Sequence, residues 1–325
     1  MSKPSPKAPR IAPPPHPRRR QEPLPDQEPK SGEDDADAPR RVRTLLESPS
    51  YREAEADVDF LSGYETRGVR LQIDYAKAET LLAEYGVAHT IVVFGSTRIN
   101  EPSAARRAVE TLKSKVAAAP NDERLRGRLA RAERVLAKSR YYDVARELGR
   151  LVSTAGAKAV SGVAGGKPGA GVVVLTGGGP GIMEAANRGA FDAGAKTVGL
   201  NITLPHEQFP NPYITPELCF RFHYFAIRKL HFLLRARALV AFPGGYGTFD
   251  ELFETLTLVQ TRRMEPVPIV LVGEDYWRRA FDVDFLVDEG TIDPEDRDLF
   301  WYAESAEEIW HGILHWHEVN GRPLI

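Results

Sequence analysis

Five short apolar runs alternate with amphipathic stretches along most of the chain. The runs are Thr90–Phe94, Val172–Thr176, Thr197–Ile202, Ala238–Phe242 and Val267–Val272. Their length and their β-branched residues are typical of strands that are buried on both faces. Most of the stretches between them repeat apolar residues at helical spacing. Strands that alternate with helices predict an α/β fold with a doubly wound parallel sheet of the Rossmann-like kind.

Two segments depart from this alternation. Residues 103–140 carry two highly charged amphipathic patterns joined near Pro120, which predicts a helical hairpin inserted between the first strand and its crossover helix. Residues 1–50 hold 12 of the 25 prolines and few large apolar residues. Such a composition buries too little surface to offset the entropy of ordering, so we predict a disordered tail. We expect residues 51–325 to form a single domain.

Glycine-rich turns follow three of the predicted strands, at Gly95-Ser96, Gly177–Gly181 and Pro243–Thr248. Ligands of doubly wound sheets bind beyond the carboxyl ends of the strands, so we expect these turns to converge. A turn that opens a helix presents backbone N–H groups at the positive end of the helix dipole, which attracts phosphate. Neither the dinucleotide fingerprint nor the P-loop pattern is present, and Asn201 stands near the position of the acidic residue that binds the ribose of NAD. A mononucleotide ligand is favoured.

Two charged side chains flank the last of these turns. Arg228 belongs to a predicted helix, residues 222–236, whose polar face also carries Tyr224, His231 and Arg235. Glu251 follows Thr248 at the Thr-x-x-Glu spacing of a capping box, in which it would only bond the backbone at the helix start. Alternatively, an ionised carboxylate at a helix N-terminus, beside a sugar, can stabilise an oxocarbenium-like transition state or orient water. The residues alone leave both interpretations open.

The composition limits the remaining classes of function. A single cysteine, Cys219, excludes an internal disulfide and any multi-cysteine metal site, and it fits a reducing compartment. The net charge of −2 gives no indication of bulk nucleic-acid binding. No apolar run approaches the roughly 20 residues of a membrane span. We therefore expect a cytoplasmic protein that binds no metal, membrane or nucleic acid.

Taken together, the motifs resemble those of the LOG ("lonely guy") family. The run Pro243–Glu251 (PGGYGTFDE) matches the family signature PGGxGTxxE, and Arg228-Lys229 looks like its Arg-Lys pair. Residues Gly177–Glu184 look like its glycine-rich turn, and Phe94–Ser96 resembles its first phosphate-side loop. Members of this family are cytokinin riboside 5′-monophosphate phosphoribohydrolases, long mislabelled as lysine decarboxylases. Pyridoxal chemistry needs a Schiff-base lysine, for which no sequence context stands out, so no cofactor is expected.

The resemblance implies hydrolysis of the N-glycosidic bond of adenosine 5′-monophosphate-type nucleotides, giving free base and ribose 5-phosphate. It implies that Arg228 and Glu251 are the catalytic pair and that the protein forms a homodimer or higher homo-oligomer. The substrate-binding residues implied are Gly95, Ser96, Gly178, Gly179, Gly181, Glu184, Lys229, Gly244, Gly245, Gly247 and Thr248. The chain departs from the family in its 1–50 tail, its hairpin, and Glu184, where many plant members have glycine. The base therefore stays open, and the alternative is a non-catalytic nucleotide-binding or carrier module on the same fold.

Overall fold

The computed structural model describes residues 28–161, 171–204 and 209–324. Contacts divide the chain into two compact units, residues 1–68 and 69–325, whereas we predicted a boundary at residue 50. The described part of the first unit has helices α1 (Ala38–Leu46) and α2 (Val58–Ser62) and a 3-10 helix at Pro49–Tyr51. The prediction of disorder is therefore wrong for residues 38–46. The rest of the predicted tail before residue 28 lies outside the described residues.

The second unit is built on a seven-stranded sheet. Its strands are β1 (His89–Phe94), β2 (Val172–Thr176), β3 (Thr197–Ile202), β4 (Cys219–Phe222), β5 (Ala236–Ala241), β6 (Ile269–Val272) and β7 (Trp301–Ala303). Their order across the sheet is β4-β3-β2-β1-β5-β6-β7, and every neighbouring pair is parallel. The predicted doubly wound parallel sheet is confirmed.

Helices follow most of the strands. They are α3 (Arg67–Glu84), α4 (Pro102–Ala118), α5 (Glu123–Lys138), α6 (Arg140–Ser161), α7 (Ile182–Asp192), α8 (Phe225–Leu233), α9 (Tyr246–Gln260), α10 (Glu274–Ala280), α11 (Val283–Asp288) and α12 (Ala306–Val319), with 3-10 helices at Pro216–Leu218 and Pro294–Leu299. The pair α4 and α5 lies between β1 and the crossover helix α6, where the inserted hairpin was predicted.

Two of the strands, β4 and β7, were not predicted. They lie at the two edges of the sheet and are only four and three residues long. We had begun a helix at Phe222, which instead ends β4, while α8 starts at Phe225. Short edge strands are half exposed and carry no continuous apolar run, so their pairing partners, rather than their own pattern, determine them.

Side chains of the central strands alternate between two buried clusters, one on each face of the sheet. In β5, Val240 joins the cluster that contains Leu148 of α6 and Ile309 of α12. Its neighbour Leu239 joins the opposite cluster, with Phe232 of α8 and Leu252 of α9. Because both faces are covered, every position of the strand must be apolar, which explains the continuous runs in the sequence.

The chain reverses its direction of winding at the centre of the sheet. From β1, the strands β2, β3 and β4 follow on one side, and β5, β6 and β7 follow on the other. The loops that leave β1 and β5 therefore diverge at this point, and a crevice opens between them at the carboxyl ends of the two strands. Such a switch point is where doubly wound sheets bind their ligands.

Candidate active site

A cavity of about 640 Å³ lies at this switch point. Its wall includes eight of the predicted site residues, namely Gly95, Ser96, Arg228, Gly244, Gly245, Gly247, Thr248 and Glu251. The turns after β1 and β5 thus converge as expected. The volume is within the usual range of small-molecule sites, roughly 300–1,000 Å³.

The turn after β5 presents the start of helix α9 to the cavity. Gly245 is the N-cap residue, and the helix begins at Tyr246. A Cβ atom added to Gly245 or Gly247 would meet no atom within 4 Å, so the backbone is open to a ligand at both positions. Below the turn, the Tyr276 hydroxyl donates a hydrogen bond to the Gly244 carbonyl. An accessible helix N-terminus held in this way suits an anionic group.

The glycine turn after β2 supports the site indirectly. Gly178 and Gly181 have φ of +72° and +74°, and the Ile182 N–H donates to the Ser96 carbonyl at 3.2 Å. A Cβ at Gly177 would lie 2.8 Å from Nη2 of Arg228, so this glycine makes room for the guanidinium. The cavity wall does not include Gly178, Gly179 or Gly181. At Gly178 and Gly181 a side chain would strain the positive-φ backbone and collide, with Asn201 in the first case and with the Ser96 loop in the second.

Glu251 lies in the second turn of α9, beyond the helix start. The capping-box interpretation is wrong, because the N-cap is Gly245 and Thr248 is itself the third helical residue. The Glu251 side chain is only 8% exposed. Burial raises the pKa of its carboxyl to about 7, against the opposing positive charges of Lys229 and Arg228. Desolvation therefore outweighs the helix end, and near neutral pH the carboxyl group is present in both its ionised and its protonated form.

Arg228 reaches the cavity from helix α8. Its Nε donates to the carbonyl of Leu200 at 2.8 Å, and its guanidinium lies 5.0 Å from the ring centroid of Phe232. Burial lowers its pKa, although an arginine side chain stays protonated in proteins. These contacts fix the guanidinium, which leaves its remaining N–H groups to bind a phosphate or hydroxyl oxygen.

The four residues predicted to share a polar face of this helix do not lie together in the structure. The helix ends at Leu233, so Arg235 falls outside it and hydrogen-bonds Glu79 through two nitrogens. His231 is fully buried, with Nδ1 3.1 Å from Glu79. Of the four residues predicted to share a face, Arg228 is the one that lines the cavity.

Two other predicted substrate-binding residues are engaged elsewhere. The Lys229 ammonium lies 2.9 Å from Asp250 and 3.1 Å from Glu254. Glu184 accepts a hydrogen bond from the Tyr142 hydroxyl at 2.8 Å. Neither side chain lines the cavity, so the structure does not bring them to the predicted ligand.

Sequence reasoning missed several residues of the cavity wall. Tyr276 follows β6 by four residues, and Arg134 and Lys138 come from the inserted hairpin. None of them belongs to a motif, because their placement depends on how α10 and α5 pack. Within the described ranges, no group of three or more His, Cys, Asp or Glu side chains could hold a metal ion. None of the helices described is both long and apolar enough to cross a membrane.

Comparisons with known proteins agree with the motifs. Residues 183–313 match the family model described as "Possible lysine decarboxylase". The probable cytokinin riboside 5′-monophosphate phosphoribohydrolase LOGL3 of Oryza sativa subsp. japonica is 28% identical over 148 residues, which cover 42% of this chain and 65% of that protein. The cytokinin riboside 5′-monophosphate phosphoribohydrolase LOG1 of Arabidopsis thaliana is 30% identical over 141 residues, which cover 42% and 64%.

The chain thus spans slightly less than two thirds of the length of these curated relatives. A solved structure titled TM1055 is 23% identical, with a TM-score of 0.41, and covers 69% of this chain and 98% of its own. The family model covers Arg228 and the turn after β5, but it begins after the hairpin.

Proposed function

Because the chain belongs to the LOG family, we propose that it hydrolyses the N-glycosidic bond of adenosine 5′-monophosphate-type nucleotides, including N6-modified ones of the cytokinin type. The products are the free base and ribose 5-phosphate. We place this activity in the cytoplasm, in a homodimer or a higher homo-oligomer.

The observation that carries the proposal is that one cavity combines Arg228 and Glu251 with the turn Gly244–Thr248. The two charged residues come from different helices, α8 and α9. A protein that only binds nucleotides needs the open glycine turn for the phosphate. It does not need a buried carboxyl group beside the sugar. Burying such a group destabilises the fold, which indicates that this one is kept for a function.

The reaction adds water across the bond between C1′ and the base. The carbon–nitrogen bond breaks with its electron pair going to the base, and the water oxygen bonds to C1′. Ionised Glu251 accepts one proton from that water and then releases it to the departing base, directly or through water, so the base is protonated and the carboxylate is restored. The ionised carboxylate of Glu251 also stabilises the positive charge that develops on the sugar.

The environment of Glu251 supports this role. A general acid or base works best when its pKa is close to the working pH, and burial raises the pKa of Glu251 to about 7. Arg228 supplies positive charge for phosphate or hydroxyl oxygens of the substrate. The backbone N–H groups at the start of α9 hold the 5′-phosphate.

The test is to incubate the purified chain with AMP, N6-substituted AMP and other purine monophosphates and to assay ribose 5-phosphate and free base. Release from at least one of them is expected, and the fastest substrate identifies the base. The rival, a nucleotide-binding or carrier module, predicts binding by calorimetry without release. Absence of release from every monophosphate, together with measurable binding, would favour that rival.

A further inference from the structure

The inserted hairpin forms part of the cavity wall. Arg134, Val135 and Lys138, from the end of helix α5, line the same cavity as Arg228 and Glu251. The family model begins at residue 183, so the hairpin is a feature of this chain that the match does not cover. Because the hairpin shares the wall of this cavity, its cations can contact a ligand that binds there.

The body of the second unit holds the hairpin at its base. At the start of α4, the Glu101 carboxylate accepts a hydrogen bond from Arg188 of α7 at 2.7 Å. Ala105 and Val109 on α4 are buried. At the other end, Ser139 is buried between α5 and α6. Since both ends are fixed, the last turn of α5 has a defined place beside the cavity.

Besides Arg228, three cations of the wall have no carboxylate partner among the described residues. They are Arg134, Lys138 and Arg98, the last in the loop after β1, and none forms an ion pair among the residues that the structure describes. Arg140 and Arg146, which are also in this region of the chain, pair with carboxylates at 2.9 and 2.5 Å. Unpaired positive charges that line one concave surface attract an anion.

A single 5′-phosphate does not account for this much positive charge. That phosphate, with a charge of about −1.5 to −2, already has a proposed binding site at the open N-terminus of α9. Of the two carboxyl groups in the wall, Asp250 is engaged by Lys229 at 2.9 Å, and Glu251 is buried. The positive charge of the wall therefore has few negative groups of the protein to balance it.

We propose that Arg98, Arg134 and Lys138 form an anion subsite for a second phosphoryl group, which extends the substrate class from nucleoside 5′-monophosphates to nucleoside 5′-diphosphates. This inference rests on the proposed function for the location of the first phosphate. The same hydrolysis would then release ribose 5-diphosphate. The hairpin is, in this account, the element that supplies two of the three cations.

A purely structural role is the rival explanation. Cations at the C-terminal end of a helix interact favourably with the helix dipole, and Arg134 and Lys138 occupy the last turns of α5. That role predicts an effect on stability and none on nucleotide binding. Arg98 lies outside any helix and cannot serve the dipole.

Calorimetric titration of the full chain with AMP and with ADP distinguishes an anion subsite from a purely structural role. The wild type is expected to bind ADP about tenfold more tightly than AMP, as expected for a charge-assisted contact. The double variant Arg134→Gln/Lys138→Gln should lose this preference, weakening ADP about tenfold and AMP less than about threefold. Arg128→Gln, an exposed position of the same helix outside the cavity wall, is the matched control and should change neither.

Equal losses for AMP and ADP, or no loss for either, would overturn the proposal. If the double variant does not fold, Arg98→Gln must show the same selective loss of ADP binding, and its absence is equally decisive. Binding does not depend on turnover. An ADP preference without release of any ribose phosphate would therefore reject hydrolysis and keep the subsite, whereas cleavage of AMP without that preference would do the reverse.

Discussion

The Nζ atom of Lys229 lies 3.9 Å from Oε2 of Glu251, joining helix α8 to helix α9. The ammonium lowers the pKa of the carboxyl group that burial raises to about 7. Lys229 thus sets how far the pKa of Glu251 rises without itself lining the cavity. We therefore expect Lys229 to tune Glu251, whereas the sequence predicted a contact between Lys229 and the substrate.

Replacing Lys229 with methionine should move the pH dependence of turnover. Without the ammonium, the pKa of Glu251 rises further above 7, so the acid limb of kcat/KM should shift to higher pH by about one unit. The measurement is the pH–rate profile with the substrate that the wild type cleaves fastest. Lys113→Met, which removes a surface lysine of the hairpin, should leave the profile in place, and an unmoved profile in the Lys229 variant would contradict the role.

Glu251→Gln should make the protein more stable at neutral and alkaline pH. The folded-state pKa of about 7 exceeds the ordinary value of 4.5. Between these values the folded state keeps a proton that the unfolded state has released, so the free energy of unfolding falls as pH rises through this window and stays lowered above it. At pH 8 the variant should gain on the order of 1–3 kcal/mol.

Urea denaturation of both proteins at pH 8 and at pH 4.5 checks this. The difference between them should shrink as pH falls, because below the unfolded-state pKa both states are protonated. A variant that is less stable than wild type at pH 8 would show that Glu251 supports the fold in its ionised form.

Gly181→Ala should cost more stability than Gly194→Ala. Both glycines have positive φ, +74° and +67°, so alanine is strained at both, by about 1–2 kcal/mol or more. The ψ of −126° at Gly181 is also outside the left-handed helical region. A Cβ at Gly181 would also collide with the Ser96 carbonyl, whereas a Cβ at Gly194 meets nothing within 4 Å. We expect about 2–4 kcal/mol in the first case and about 1 in the second, measured by chemical denaturation. Equal losses in the free energy of unfolding would mean that the Ser96 loop moves aside at no energetic cost.

Tyr276→Phe should weaken nucleotide binding while leaving the chemical step largely intact. The Tyr276 hydroxyl fixes the Gly244 carbonyl and with it the turn that we propose to bind the phosphate. Loss of one such hydrogen bond corresponds to about a 3- to 10-fold rise in KM, with a small change in kcat. Tyr302→Phe, on edge strand β7, is the control and should have wild-type constants. A fall in kcat alone would place Tyr276 in the reaction itself.

The parts of this molecule that were predictable from sequence are those whose cause is local. Buried central strands need continuous apolar runs, and Gly177–Gly181 and Pro243–Thr248 mark their turns without further context. The edge strands β4 and β7 gave no such signal, since pairing with a neighbour forms them. The environment of Glu251 was misjudged because the spacing to Thr248 suggests a cap, whereas the helix begins two residues before Thr248, after Gly245.

The cavity also contains residues that no motif announces. Arg134 and Lys138 resemble many other surface cations of the hairpin, and their place in the wall depends on how α5 is held at its base. The hairpin itself was predictable from its periodicity. Its contribution to a ligand site depends on tertiary packing. No single residue or motif of the hairpin indicates that contribution.

The proposed function requires Glu251 to act chemically on a nucleotide that is bound at the start of α9. The most direct measurement compares ribose 5-phosphate release from the preferred nucleotide by wild type and by Glu251→Gln, with the Kd for that nucleotide measured by calorimetry. Turnover by the variant should fall by about 10²–10⁴-fold, with the Kd changed less than about threefold. Turnover close to the wild-type rate in Glu251→Gln, with the variant folded and the nucleotide bound, would contradict it.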